Sequence, residues 1–209
     1  MIVILGKTCS GKDTIVSKLV EKYNYKRIIS YTTRPMRQNE IQDKTYHFIS
    51  KEEFLSKIDS DFFLEYKKYK TIDGDWYYGS AKEDYKSSDN NTIIILTPDG
   101  LRDLKRWVIK NNINIDIISI YIYANKETIM KRLKWRGDKT DEAMRRLKSD
   151  DKDFENIENL TDRTFYNISY NGIDHVAESI HRYVNQRKDK KFEKENLFSW
   201  CNWVLQRLS

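Results

Sequence analysis

The chain has 209 residues, 39% of them hydrophobic, which is enough for one packed core. Lys and Arg (38) exceed Asp and Glu (32) by a formal net charge of +6, a modest excess that suits small phosphates; with no nucleic-acid-binding motif in view, nucleic acid is excluded as an expected partner. No apolar run approaches the ~20 residues that span a bilayer, residues 1–5 read as a core strand rather than a leader, and the two cysteines and three histidines show no disulfide or metal-ligand spacing, so the expectation is a cytoplasmic protein without a transmembrane segment.

In chain order, Met1-Ile2-Val3-Ile4-Leu5 predicts a buried strand that runs straight into Gly6-Lys7-Thr8-Cys9-Ser10-Gly11-Lys12. That spacing, G-x-x-x-x-G-K, is a phosphate-binding loop. Successive N–H groups in such a turn form an anion-binding concavity, the following helix N-terminus adds partial positive charge, and Lys12 reaches the outer phosphates. Ile15, Leu19, Val20 and Tyr23 keep helical spacing over 12–24. The loop therefore binds a nucleoside triphosphate, with Gly6 to Lys12, Asp13 and Thr14 as its contact residues. One position departs from the motif: Asp13 stands where a Ser or Thr hydroxyl ordinarily ligates magnesium. Asp13 either acts through magnesium-bound water or turns away to favour the helix dipole, and Thr14 stays available to a phosphate oxygen.

Further strands are expected at 27–31, 92–96, 115–123 and 165–170, and helices at 98–110, 126–136, 140–158 and 173–187. Strands joined by helices of this length imply an α/β fold, a parallel sheet flanked by helices. Residues 33–82 interrupt the rhythm with short aromatic-rich strands around Tyr46–Ile49, Phe62–Tyr66 and Trp76–Tyr78, and Asp73-Gly74 signals a turn. The insertion concentrates groups that suit a nucleoside monophosphate. Arg34 and Arg37 present planar forks for phosphate oxygens, and Tyr46 and Tyr78 offer phenol donors. Glu65 lies in Phe62-Phe63-Leu64-Glu65-Tyr66, where an unpaired carboxylate is expensive. It suits the N1/N2 edge of guanine, or else a lysine such as Lys67 or Lys68. Trp76 and Tyr77 read as packing.

On these residues the chain resembles the guanylate kinases of the P-loop nucleoside monophosphate kinase group. The family's S-x-T-T-R-x-x-R motif stands at Ser30 to Arg37 and is followed by Tyr46; F-[IL]-E-[WY] stands at Phe63 to Tyr66, and Y-Y-G-S at Tyr77 to Ser80. The resemblance implies that Arg34, Arg37, Tyr46 and Tyr78 hold the GMP phosphate. It also implies that Glu65 reads guanine, with Ser30 and Ser80 beside the base. Lys131 to Gly137 matches the lid segment K-R-L-x-x-R-G, and Arg146 matches the arginine downstream. Arg132 and Arg136 share one helix face and, with Arg146, would close over the transferring phosphoryl group. Asn171 falls where the family places a residue near adenine. The implied cofactors are ATP and Mg²⁺, and the catalytic residues Lys12, Arg34, Arg132, Arg136 and Arg146.

The implied organisation is a core of residues 1–32, 83–124 and 159–188, a β-rich GMP-binding insertion at 33–82, a helical lid at 125–158 and an extra C-terminal helix at 189–209. The family's acidic segment D-x-D-x-Q-G reads here Ile95-Leu96-Thr97-Pro98-Asp99-Gly100, so Thr97 replaces a carboxylate on the GMP side. Asp13 or Asp99, through water, are the candidate metal carboxylates. Two alternatives remain open: a ribose 1,5-bisphosphate phosphokinase, which shares Gly11-Lys12-Asp13, and a guanylate kinase-like binding scaffold. In the C-terminal stretch Leu197, Trp200, Cys201, Val204 and Leu208 share a helical face, leaving packing on the core, a homodimer or a partner contact open.

Overall fold

A computed structural model of the chain describes all residues except Asn39, Asp73, Asp138, Lys139, Ser169, Tyr170, Asn171 and Ser209; the side chains of Thr140, Glu142 and residues 193–208 are not described. In chain order the elements are β1 (Ile2–Gly6), α1 (Lys12–Tyr23), β2 (Lys26–Arg27), β3 (Tyr31–Thr32), β4 (His47–Phe48), α2 (Lys51–Asp59), β5 (Phe63–Thr71), β6 (Gly74–Ala81) and α3 (Lys82–Lys86). They continue as β7 (Thr92–Ile95), α4 (Pro98–Lys110), β8 (Ile118–Tyr123), α5 (Lys126–Arg136), α6 (Thr140–Asp153), β9 (Arg163–Tyr166) and α7 (Ile173–Leu208).

Five strands pair in parallel in the order β2-β7-β1-β8-β9. β1 is central, and its residues alternate between two buried layers. Ile2 and Ile4 pack with Ile15 and Leu19 of α1 and with Ile180 and Val184 of α7. Val3 and Leu5 pack with Leu101 and Leu104 of α4 and with Phe154 and Ile157. With helices on both faces every β1 side chain is apolar, and each contributes about 1.5–3 kcal/mol by burial. The chain runs from β1 out to β2, back to β7, then across β1 to β8. That reversal leaves a crevice beyond the carboxyl end of β1, where Gly6 opens the phosphate-binding loop.

A second sheet, β4-β3-β6-β5, is built by the insertion. α2 covers it through Phe54, which meets Phe63 and Tyr77 in a small separate core. Helices α5 and α6, the segment expected to form the lid, share another, of Ala124, Ile129, Leu133, Ala143 and Leu147, with Cys9 of the loop packed against it.

Several elements differ from expectation. The strand placed at 27–31 divides: Ile28 N–H still donates to Ile93 O (2.9 Å), but Tyr31 and Thr32 join the second sheet opposite Gly79 and Tyr78. β9 begins at Arg163, earlier than 165–170, because the Asp162 carboxylate accepts from Ser119 N–H (2.8 Å) and Oγ (2.7 Å) and anchors its start to β8. The helix placed at 140–158 ends at Asp153, since Asn156 takes a left-handed φ of 53° before a short 3-10 turn at Ile157–Asn159. α2 escaped the pattern reading, although Ser50 Oγ accepts from Glu53 N–H (3.0 Å) as a capping box should. The helix placed at 173–187 continues unbroken to Leu208, because no Gly or Pro follows Gly172; the apolar face proposed for its far end lies outside the described side chains.

Candidate active site

The loop between β1 and α1 is shaped by two left-handed residues, Cys9 (φ 57°) and Gly11 (φ 88°). Gly11 is doubly constrained, since a Cβ there would also collide with Asn167 Nδ2. From outside the turn, Arg132 Nη1 donates to Cys9 O (3.1 Å) and Ser10 O (3.0 Å), Arg132 Nη2 to Asn167 O (3.2 Å), and Asn167 Nδ2 to Ser10 O (2.8 Å). Tying the Ser10 carbonyl back turns the Gly11 N–H the opposite way, because the peptide unit is planar. Arg132 therefore braces the loop from the lid side. Among the described residues, Lys12 Nζ makes a long contact to Lys7 O (3.4 Å).

A cavity of about 590 Å³ lies in the crevice. From the loop it is lined by Gly6, Thr8, Cys9, Gly11 and Lys12, with Asp13 and Thr14 at the helix start. From the opposite side come Ser30, Arg34, Arg37, Tyr46, Glu65 and Tyr78, with Thr97 below them. The lid adds Arg132, Arg136 and Arg146. Lys7, Ser10, Ser80 and Asp99 do not line it: Ser10 and Ser80 are fully buried behind it, and Asp99 pairs with Arg102 (2.8 Å) and Lys67 (3.4 Å). Asn171 lies outside the described residues.

Asp13, in the first turn of α1, pairs with Arg27 of β2 (3.4 Å). On the acceptor side, Arg34 is buried and its fork is held bidentately by Glu40, Nη1 to Oε2 at 2.8 Å and Nη2 to Oε1 at 2.7 Å. Arg34 Nε reaches Tyr78 Oη (3.2 Å), and Arg37 N–H donates to Glu40 as well (2.8 Å). Burial alone would raise the Glu40 carboxyl, but these donors outweigh it and hold it below the ordinary range. Burial, followed by the charges of Arg34, Arg136 and Arg146, lowers the affinity of Arg37 for its proton, which marks a converging cationic cluster. Burial, then the Asp13 carboxylate, raises Tyr46 and keeps its phenol a donor.

Glu65 is buried, and its Oε1 accepts from Ser80 Oγ (2.6 Å), itself 2.7 Å from Tyr85 Oη. Burial pushes its carboxyl up to about 7. Neither lysine pairs with it: Lys67 meets Asp153 (2.7 Å) and Lys68 meets Asp75 (2.6 Å). A Cβ on Gly100 would stand 3.0 Å from Glu65 Oε2, so the glycine leaves that oxygen room. Thr97 caps α4, its Oγ1 accepting from Gly100 N–H (3.1 Å).

The sequence reading passed over Glu40, Asp150 and Asn167, and it read Trp76 as packing. Glu40 sits in an irregular polar loop with no periodicity to mark it. Asp150 of α6 and Asn167 reach the loop only through tertiary folding. Tyr77 packs in the small core as expected, but Trp76 lines the cavity beneath the Arg146 guanidinium, 5.2 Å from its ring centroid; the run of aromatics hid this difference.

The family model for guanylate kinase matches residues 1–187. The chain belongs to the guanylate kinase family. It is 32% identical over 190 residues to a guanylate kinase of Clostridium tetani, covering 90% of this chain and 86% of that one. A guanylate kinase of Caldanaerobacter subterraneus subsp. tengcongensis is 30% identical over 201 residues, 95% and 92% of the two chains. The crystal structure of guanylate kinase from Anaplasma phagocytophilum superposes with a TM-score of 0.63 at 23% identity, over 90% of this chain and 85% of that one, and shares the fold. A shikimate kinase from Acinetobacter baumannii superposes with a TM-score of 0.51 at 13% identity, over 90% of this chain and 93% of that one, and shares the fold. As a guanylate kinase by family, the chain is a nucleotide kinase, and among the described residues no helix is long and apolar enough to cross a membrane.

Proposed function

We propose that the chain transfers the γ-phosphoryl group of ATP to GMP, and to dGMP, by direct in-line displacement. What carries the reading is that Lys12, Arg37 and Glu65, from three separate parts of the chain, line one cavity. The loop amides and Lys12 take the triphosphate; Arg37, Tyr46 and Tyr78 take the acceptor phosphate, with Arg34 fixed beside them by Glu40. The Glu65 carboxylate accepts from guanine N1 and N2, oriented by Ser80. Phosphoryl transfer proceeds through a loose transition state, so positioning and positive charge do most of the work. Arg136 and Arg146 supply that charge from the lid while Arg132 keeps the loop in shape. The acceptor oxygen is already anionic, and no general base is required.

Magnesium is usually held by one or two carboxylates plus substrate phosphates. Asp13, a carboxylate on the cavity wall that also pairs with Arg27, fits that role through water and would hold the hydrated ion, which screens phosphate charge. The test is ADP formation from ATP·Mg²⁺ with GMP, dGMP, AMP, CMP, UMP and ribose 1,5-bisphosphate offered separately. Turnover confined to the guanine nucleotides is expected. Turnover with the sugar bisphosphate, or with none of the six, overturns the assignment.

A further inference from the structure

The phosphate-binding loop makes one contact that the reaction does not call for. Thr8 N–H, inside the turn, donates to Asp150 Oδ2 of the lid helix α6 at 2.6 Å, and Asp150 lines the cavity with Lys12. The neighbouring residue repeats the motion on the surface, Lys7 Nζ meeting Asp151 Oδ1 at 2.5 Å. A carboxylate on a loop amide near the loop lysine offers the same charge and the same kind of acceptor as a phosphate oxygen. One N–H cannot serve both fully.

We propose that Asp150 is a positioning residue that competes with the donor phosphates for the loop, so that α6 must release Thr8 before a triphosphate seats completely. The proposal rests on the triphosphate site of the preceding section. Its energetics suit a reversible contact. Burial raises the Asp150 carboxyl above its ordinary value, and the like charge of Asp153 adds to this; the Thr8 N–H and Lys12 oppose it without cancelling it. A multiply charged phosphate offers the same amide a more strongly charged acceptor than the single carboxylate does. α6 also carries Arg146, so releasing Asp150 and re-seating the lid arginine belong to one movement. The apparent affinity for the donor is reduced by the fraction of molecules in which Asp150 holds the loop.

The experiment is titration calorimetry of the full chain and of Asp150→Ala and Asp150→Asn with ATP·Mg²⁺, inorganic tripolyphosphate and GMP. Steady-state kinetics and melting temperatures accompany it. Both variants should bind ATP and tripolyphosphate about tenfold more tightly, lower KM for ATP and leave GMP affinity within twofold. Asp151→Asn, on an exposed pair, should change donor affinity far less. Unchanged or weaker phosphate binding by folded Asp150→Asn overturns the proposal. Tighter tripolyphosphate binding with no ATP binding by any form supports it and instead removes ATP as the donor.

Discussion

The donor loop and the acceptor insertion face one another across a single cavity, yet they hold their binding groups differently. The loop relies on main-chain geometry. Two left-handed residues and three bonds from Arg132 and Asn167 to its carbonyls set the direction of its amides. The insertion relies on side chains that other side chains hold in place: Arg34 by Glu40, and Glu65 by Ser80 with Tyr85 behind it. A backbone site tolerates substitution at most of its positions, which is how Asp13 stands at the helix start with the loop intact. A side-chain site fails when any supporting partner is removed.

The sharpest way to break this contrast is Lys12→Met. Lys12 is the one loop side chain asked to carry charge, so kcat/KM should fall about a thousandfold with little change in melting temperature. A loss below tenfold would show that the amides suffice. Glu40→Gln tests the other side, leaving the Arg34 guanidinium buried without its counter-charge. Urea unfolding should register a loss of about 3 kcal/mol, accompanied by a higher KM for GMP. A stable variant with normal kinetics would mean that Glu40 backs nothing.

Glu65 sharpens the comparison through pH. Its folded carboxyl titrates near 7 against an ordinary 4.5, so the folded chain holds a proton that the unfolded chain has lost between those values. Stability from this group is therefore full below pH 4.5 and falls by about 3 kcal/mol as pH rises to 7. GMP recognition runs the other way: the carboxylate is the form that accepts from guanine, so KM for GMP should fall as pH rises toward 7. Glu65→Gln should flatten both profiles and raise KM for GMP about fiftyfold; a wild-type KM independent of pH would place the proton elsewhere. The smallest effect belongs to Trp76→Leu. Losing the ring beneath Arg146 should cost about threefold in kcat/KM, and a null result would leave that contact without a catalytic role.

What was legible in the sequence follows the same division. β1, the loop and α1 are contiguous, so residues 1–23 announced the phosphate-binding loop without any tertiary information. The insertion's cavity-lining groups were legible one by one, because Arg34, Arg37, Tyr46, Glu65 and Tyr78 are residue types with strong chemistry in short motifs. Their supports were not. Glu40 reaches Arg34 through an irregular loop, and Asp150 meets Thr8 across 142 residues. Neither leaves a periodic or spacing signal. Elements went astray for equally local reasons: Tyr31, at the end of 27–31, joins another sheet together with Thr32, and a polar Asp162 anchors the start of β9 where hydrophobicity begins only later.

The Arg146–Trp76 contact has an optical consequence. The chain has five tryptophans, of which Trp76 and Trp135 line the cavity while Trp107 packs against the core beside Tyr85. If the Arg146 guanidinium left the half-buried Trp76 indole, that ring would become more solvated and its emission would move to the red, whereas Trp107 would keep its surroundings. Trp76 emission would then report the Arg146 contact, with Trp107 as a reference.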